Sequence, residues 1–166
     1  MKTFKTIALT LALTLFGTVS AFAQKVGHVN VDKILTEMPD RIAAEKTLES
    51  FALKHKTQIE NDQIALEKKY NEFKAQAAGK TDEQLMQMQQ QLQKMQQDIM
   101  QYEQTATNEV NKKQMELFEP LQKKIKDAIT LTASEKGLDY VLDSSSSTVL
   151  VAKGTDITAD VQKKLK

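Results

Sequence analysis

The stretch DEQLMQMQQQLQKMQQDIMQYEQTA, residues 82–106, decides the fold. Its apolar side chains Leu85, Met88, Leu92, Met95, Ile99, Tyr102 and Ala106 recur at alternating spacings of three and four. That spacing puts them on one stripe of an α-helix, as the a and d positions of a coiled coil do. The stripe weakens through Glu109 and Lys113 before Leu117, and Pro120 closes the stretch.

A second helical pattern lies upstream. Residues 40–78 hold no Pro or Gly and are rich in good helix formers. Ala52, Ile59, Leu66 and Phe73 recur every seven residues, with mixed companions His55, Asp62, Tyr70 and Ala77. This seam has gaps. AGKTDE (78–83) separates the two patterns; Gly79 suits a helix C-cap and arm turn, and Thr81 or Asp82 can start the next helix. Stretches of 39 and 38 residues about one glycine predict an antiparallel hairpin. At about 1.5 Å per residue each arm would reach on the order of 57 Å. The alternative is two unrelated helices side by side in a bundle.

Short strands flank the helices. KVGHVNV (25–31) reads as a strand with Val29 and Val31 on one face and His28 and Asn30 on the other. Asp32 can cap a short helix to about Glu37, which Pro39 interrupts. Pro120 either sits in the first turn of a third helical segment, residues 121–136, or kinks a continuous helix. Gly137 suits a C-cap. LDYVLD (138–143) and TVLVA (148–152) read as strands around a turn at Ser144, Ser145, Ser146 and Ser147. A final helix is expected near residues 158–165, with Asp156 and Thr158 as candidate caps.

The fold class is therefore α+β: a long antiparallel helical hairpin, a coiled-coil tentacle, inserted in a small β-strand body. The arm spans residues 40–119 with its tip near 78–83, and a β-rich body is built from 24–39 and 120–166. Such short strands cannot bury a core alone, so the body is expected to assemble between subunits. Pooled strands would also remove exposed sheet edges.

The N-terminus reads as a secretory signal, residues 1–23. Lys2 and Lys5 precede an apolar run at 7–16, and Ala21-Phe22-Ala23 is a small-x-small cleavage site. The run is too short to span a bilayer, so no stable membrane insertion is expected. Cleavage after Ala23 would remove 23 of 166 residues, leaving 143. Without Lys2 and Lys5, 21 basic side chains face 22 acidic ones, a charge of −1. A near-neutral chain has no broad electrostatic attraction to nucleic acid. There is no cysteine, hence no disulfide and no thiol chemistry.

No catalytic constellation emerges, and no enzyme activity, cofactor or metal site is expected. His28 and His55 lie 27 residues apart in different elements. Ser144 to Ser147 have no nearby base. Carboxylates such as Glu67 and Asp98 are interspersed with Lys68, Lys69 and Lys94, as on solvated helix faces. The informative stretch is the arm's Met/Gln run. Met side chains adapt to many shapes. Met86, Met88, Leu92, Met95 and Met100 are candidate client contacts; among the methionines Met88 and Met95 fall on the seam, where coiled-coil packing is the competing reading, and Met86 and Met100 fall off it.

Several segments match in order: KVGHVNVDKIL (25–35), EPLQKKI (119–125), GLDYVLD (137–143) and DITADVQKKLK (156–166). With the signal and hairpin they cover essentially the whole mature chain. The sequence resembles the Skp/OmpH family of periplasmic chaperones, and Asp-Ile-Thr-x-x-Val at 156–161 is the sharpest local match. The resemblance implies a periplasmic homotrimer with three helical tentacles holding unfolded outer-membrane proteins, without ATP. It places Val29, Val31, Tyr140, Leu142, Val149 and Val151 in the trimer body. The best-known members are strongly basic and this chain is not, so no lipopolysaccharide site is carried over. The expected function is an ATP-independent holdase; the alternative is a coiled-coil adaptor of the cell envelope with one folded partner.

Overall fold

The computed structural model describes residues 24–166; the signal segment, Ala21 and Ala23 included, lies outside the described residues. The elements run β1 (Val26–Val29), α1 (Val31–Glu37), α2 (Pro39–Gln76), a 3₁₀ turn (Ala77–Gly79), α3 (Asp82–Lys136), β2 (Tyr140–Asp143), β3 (Thr155–Asp156) and α4 (Thr158–Lys164). The architecture is mostly helical, with a small strand body.

Local chemistry sets the helix ends. Asn30 caps α1 by accepting from the Lys33 N–H at 2.8 Å. Val31 thus opens a helix and does not continue the strand, and Asn30 takes the capping role expected of Asp32. Pro39 sits in the first turn of α2, where its missing N–H costs nothing. Thr81 and Gln84 form a capping box at the start of α3. Gly137 ends α3 at φ 62°, and Leu138 N–H reaches back to the Ala133 carbonyl at 2.9 Å. A glycine accepts that left-handed backbone without strain.

The hairpin forms, with its turn at the expected place, but its helices are unequal: α2 has 38 residues and α3 has 55. Pro120 lies inside α3 and does not end it. The third segment is therefore the root of the second arm helix. Gly79 closes the 3₁₀ turn and is not a left-handed cap, since Gly137 alone of the described residues has positive φ.

The sheet has the order β2-β1-β3, parallel throughout. Val26 pairs with Tyr140, and His28 with both Leu142 and Asp156. The expected strand at 148–152 is absent: Val149 and Val151 lie in the loop from β2 to β3. Thr155–Asp156 takes the free edge of β1 instead. It approaches so closely that a Cβ on Gly154 would collide with the Val26 carbonyl.

The body is less β-rich than expected, with strands of four, four and two residues. Helices supply its core. Ile34 and Met38 from the α1 region, Ile125 and Ala128 from α3, and Ile157, Val161 and Leu165 around α4 close over Val29. One subunit thus buries a small core of its own, contrary to the expectation from its strands alone.

Two carboxylates tie the body's loops. Burial pushes the Asp143 carboxyl up, but hydrogen bonds from the Ser145 hydroxyl and backbone and from Val31 N–H outweigh it and hold it low. The Thr158 hydroxyl and N–H lower Asp156, helped by His28 and Lys33. Both groups bind fewer protons folded than unfolded in acid. Their stabilisation is present above the ordinary carboxylate range and lost as pH falls through the depressed values. The urea midpoint is expected to drop between about pH 5 and pH 2. In Asp156→Ala part of that acid slope disappears; an unchanged slope would contradict the assignment.

Candidate functional site

The arm is the chain's largest solvent-facing structure, and its side chains divide into two sets. Leu85, Met88, Leu92, Met95, Ile99 and Tyr102 of α3 are half-buried against α2, and Ala106 is fully buried. Ala52, Ile59, Leu66 and Phe73 are their half-buried counterparts. Three of the five candidate client contacts, Met88, Leu92 and Met95, therefore belong to the seam. Met86 and Met100 point away from it, each more than half exposed.

The structure adds residues that the heptad reading missed. Leu53, Ile64 and Met115 are also more than half exposed, and Ile42 nearly half. Ile42, Leu53 and Ile64 are spaced by eleven, about three helical turns, so they share one stripe of α2. Met86, Met100 and Met115 are spaced by fourteen and fifteen, close to four turns each, and share a stripe of α3. Both stripes leave the seam free. Each arm helix is apolar on the seam and again, sparsely, on a solvent face.

Charges on the arm are mostly spent locally. Arg41–Glu45, Lys56–Glu60, Lys94–Asp98 and Lys112–Glu116 are exposed pairs within single helices. Such pairs contribute little. Lys74 lies over the Tyr70 ring at 4.6 Å. Among the described residues no helix is long and apolar enough to cross a membrane.

On the body, the sheet has two unlike faces. Gly27 and Val29 turn inward, and Val141 packs on the core. Val26, Tyr140 and Leu142 turn outward and are exposed, as are Leu150 and Val151 in the following loop, Val151 at 69%. Of the residues assigned to a subunit interface, Val29 fills the chain's own core and Val31 packs on it. Val149 is half-buried in the loop. Tyr140, Leu142 and Val151 are the three left facing solvent.

The comparisons fit this geometry. A family model for "Outer membrane protein (OmpH-like)" matches residues 25–165. The chain belongs to the OmpH family. A "Chaperone protein Skp" from Yersinia enterocolitica is 25% identical to this OmpH-family chain over 159 residues, 96% of each. The protein of that name from Photorhabdus luminescens is 24% identical over 144 residues, 87% of each. The crystal structure of an OmpH-like protein from Caulobacter crescentus superposes with a TM-score of 0.77 at 17% identity. The match covers 90% of this chain and 88% of that one, and shows that the two share a fold.

Proposed function

We propose that this OmpH-family protein is an exported, ATP-independent holdase that keeps unfolded outer-membrane proteins from aggregating, and that it works as a homotrimer. The observation that carries the reading is the pair of exposed apolar stripes on the long arm. Leu53, Ile64, Met86, Met100 and Met115 offer separated contacts along both helices. Fully burying one such side chain is worth roughly 1.5–3 kcal/mol, and partial cover less. A few contacts at once retain a client, and none fixes its conformation. The names of the Yersinia and Photorhabdus relatives support a chaperone activity.

Assembly is supported by the sheet. Parallel sheets are normally covered on both faces. Here one face is packed by helices, and the other bears Val26, Tyr140 and Leu142 beside Leu150 and Val151. A second and third copy covering that face would set several arms around one axis. Export rests on the signal read at residues 1–23.

The test is light scattering of a barrel-forming outer-membrane protein diluted from urea, with and without the mature chain. Aggregation is expected to be suppressed at one trimer per client, for several unrelated clients. No suppression would overturn the holdase; binding to one folded partner at fixed stoichiometry would indicate the envelope adaptor instead. Mass from scattering after size exclusion tests assembly separately, and a monomer at micromolar concentration would refute the trimer.

A further inference from the structure

Between α2 and α3, polar side-chain links occur at just two levels among the described residues. At the base, Lys124 Nζ meets Asp40 at 2.6 Å, and both groups are half exposed. At mid-arm, His55 of α2 reaches two groups on α3. Its Nδ1 lies 2.9 Å from the Tyr102 hydroxyl, and its Nε2 lies 3.4 Å from Glu109 Oε2. From there to the tip turn at Gly79, no hydrogen bond or ion pair crosses the hairpin among the described residues.

We propose that His55, Tyr102 and Glu109 form a clasp that ties the two arm helices together at mid-length, so that the tip-side half of the arm flexes about it. Three observations support this. His55 is 9% exposed on a seam position where apolar residues are the norm, and a buried imidazole must be held by partners. The Phe51 and His55 rings meet edge to face at a centroid distance of 4.8 Å, and the Tyr102 ring lies at 5.7 Å. In a chain with 5% aromatic residues this is a local concentration of bulk, beside the small Ala52 and Ala106. Beyond it the α3 side of the seam is Leu, Met and Ile flanked mostly by glutamines, facing Ile59, Leu66 and Phe73 of α2, and among the described residues no ion pair locks the two helices together there.

The clasp specifies a proton position. The Glu109 carboxylate beside Nε2 favours a proton on that nitrogen, and Nδ1 then accepts from the Tyr102 hydroxyl. Nε2 is buried, and in the resting geometry it approaches Glu109 without completing a hydrogen bond. The opposite tautomer would turn a lone pair toward the carboxylate, which is repulsive. Apart from Glu109, the charged neighbours in the groove beside His55 are the Lys56–Glu60 pair on its own helix and Glu103 on α3.

Two measurements on the mature chain test this, and neither depends on client binding. The chain has two histidines, so ¹⁵N spectra of the imidazoles resolve each one. His55 is expected to be the Nε2–H tautomer; an Nδ1–H tautomer would overturn the clasp. In hydrogen exchange, backbone amides at 59–76 and 82–99 should open more readily than those at 40–51 and 110–118. Equal opening on both sides would refute the hinge. Tyr102→Phe keeps the ring but strands Nδ1. Exchange at 48–52 and 106–110 is then expected to rise roughly fivefold or more, the scale of one lost buried hydrogen bond. Protection at Val26–Val29 should stay unchanged, which shows that the variant folds. Unaltered exchange in the arm of that folded variant would count against the proposal.

Discussion

Ile157→Ala is expected to destabilise the body by about 3 kcal/mol, within the range for large-to-small changes at a fully enclosed site. Ile157 is 0% exposed. Its N–H donates to the His28 carbonyl at 2.9 Å, so it is seated at the end of the sheet as well as in the core. It lies among Val29, Ile34, Ile125 and Val161, and a core this small has few other side chains to move into the gap. A domain's whole stability is typically about 5–15 kcal/mol, so this loss is a large share. Urea denaturation followed by circular dichroism would measure it. A loss under about 1 kcal/mol would mean that the core collapses around the deletion and that Ile157 is not its hub.

The second large effect concerns the arm. Replacing Leu53, Ile64, Met86, Met100 and Met115 together by glutamine is expected to weaken client retention by about sixtyfold or more. Roughly 0.5–1 kcal/mol of partial apolar contact is removed at each of five positions, and each 1.4 kcal/mol is a factor of ten. Glutamine is a good helix former and none of the five lies on the seam, so helix content should not change. Fluorescence anisotropy of a labelled unfolded barrel protein would give the affinity. Undiminished binding with helicity intact would move the client surface elsewhere, with the apolar outer face of the sheet as the next place to look.

The long periodic elements were legible from the sequence because many residues vote for them. Seven seam positions at three-four spacing place α3, and the glycine-containing turn places the tip. Of the two readings open at Pro120, the continuous helix holds, although a mid-helix proline usually costs about 3 kcal/mol. Here it sits among exposed Glu116, Glu119 and Lys123, where water can serve the carbonyl left without a partner. Val31 and the Val149–Val151 run misled. β-branched residues favour strands by packing on a sheet, but a single cap or a taken edge decides the outcome. The Asn30 side chain diverts Val31 into a helix, and Thr155–Asp156 occupies the edge of β1 that residues 148–152 would have needed. A two-residue strand has no period to detect.

The candidate site was half legible. A heptad reading finds the seam, and it marked Met86 and Met100 as off it. It does not register a spacing of eleven, so it does not single out Ile42, Leu53 and Ile64. His55 was recognised as a seam position, but its partners lie 47 and 54 residues further along, and one sequence carries no sign of that pairing.

The order of strands in the body has a consequence for how the molecule is made. β1 is synthesised first yet lies in the middle of the sheet, and both of its neighbours follow only after the entire hairpin. Asn30 N–H waits for the hydroxyl of Thr158, 128 positions later. A growing polypeptide can zip its tentacle early through nearby contacts, while the root stays open until α4 has been made. A chain truncated before residue 157 would carry a finished arm on an unsealed base.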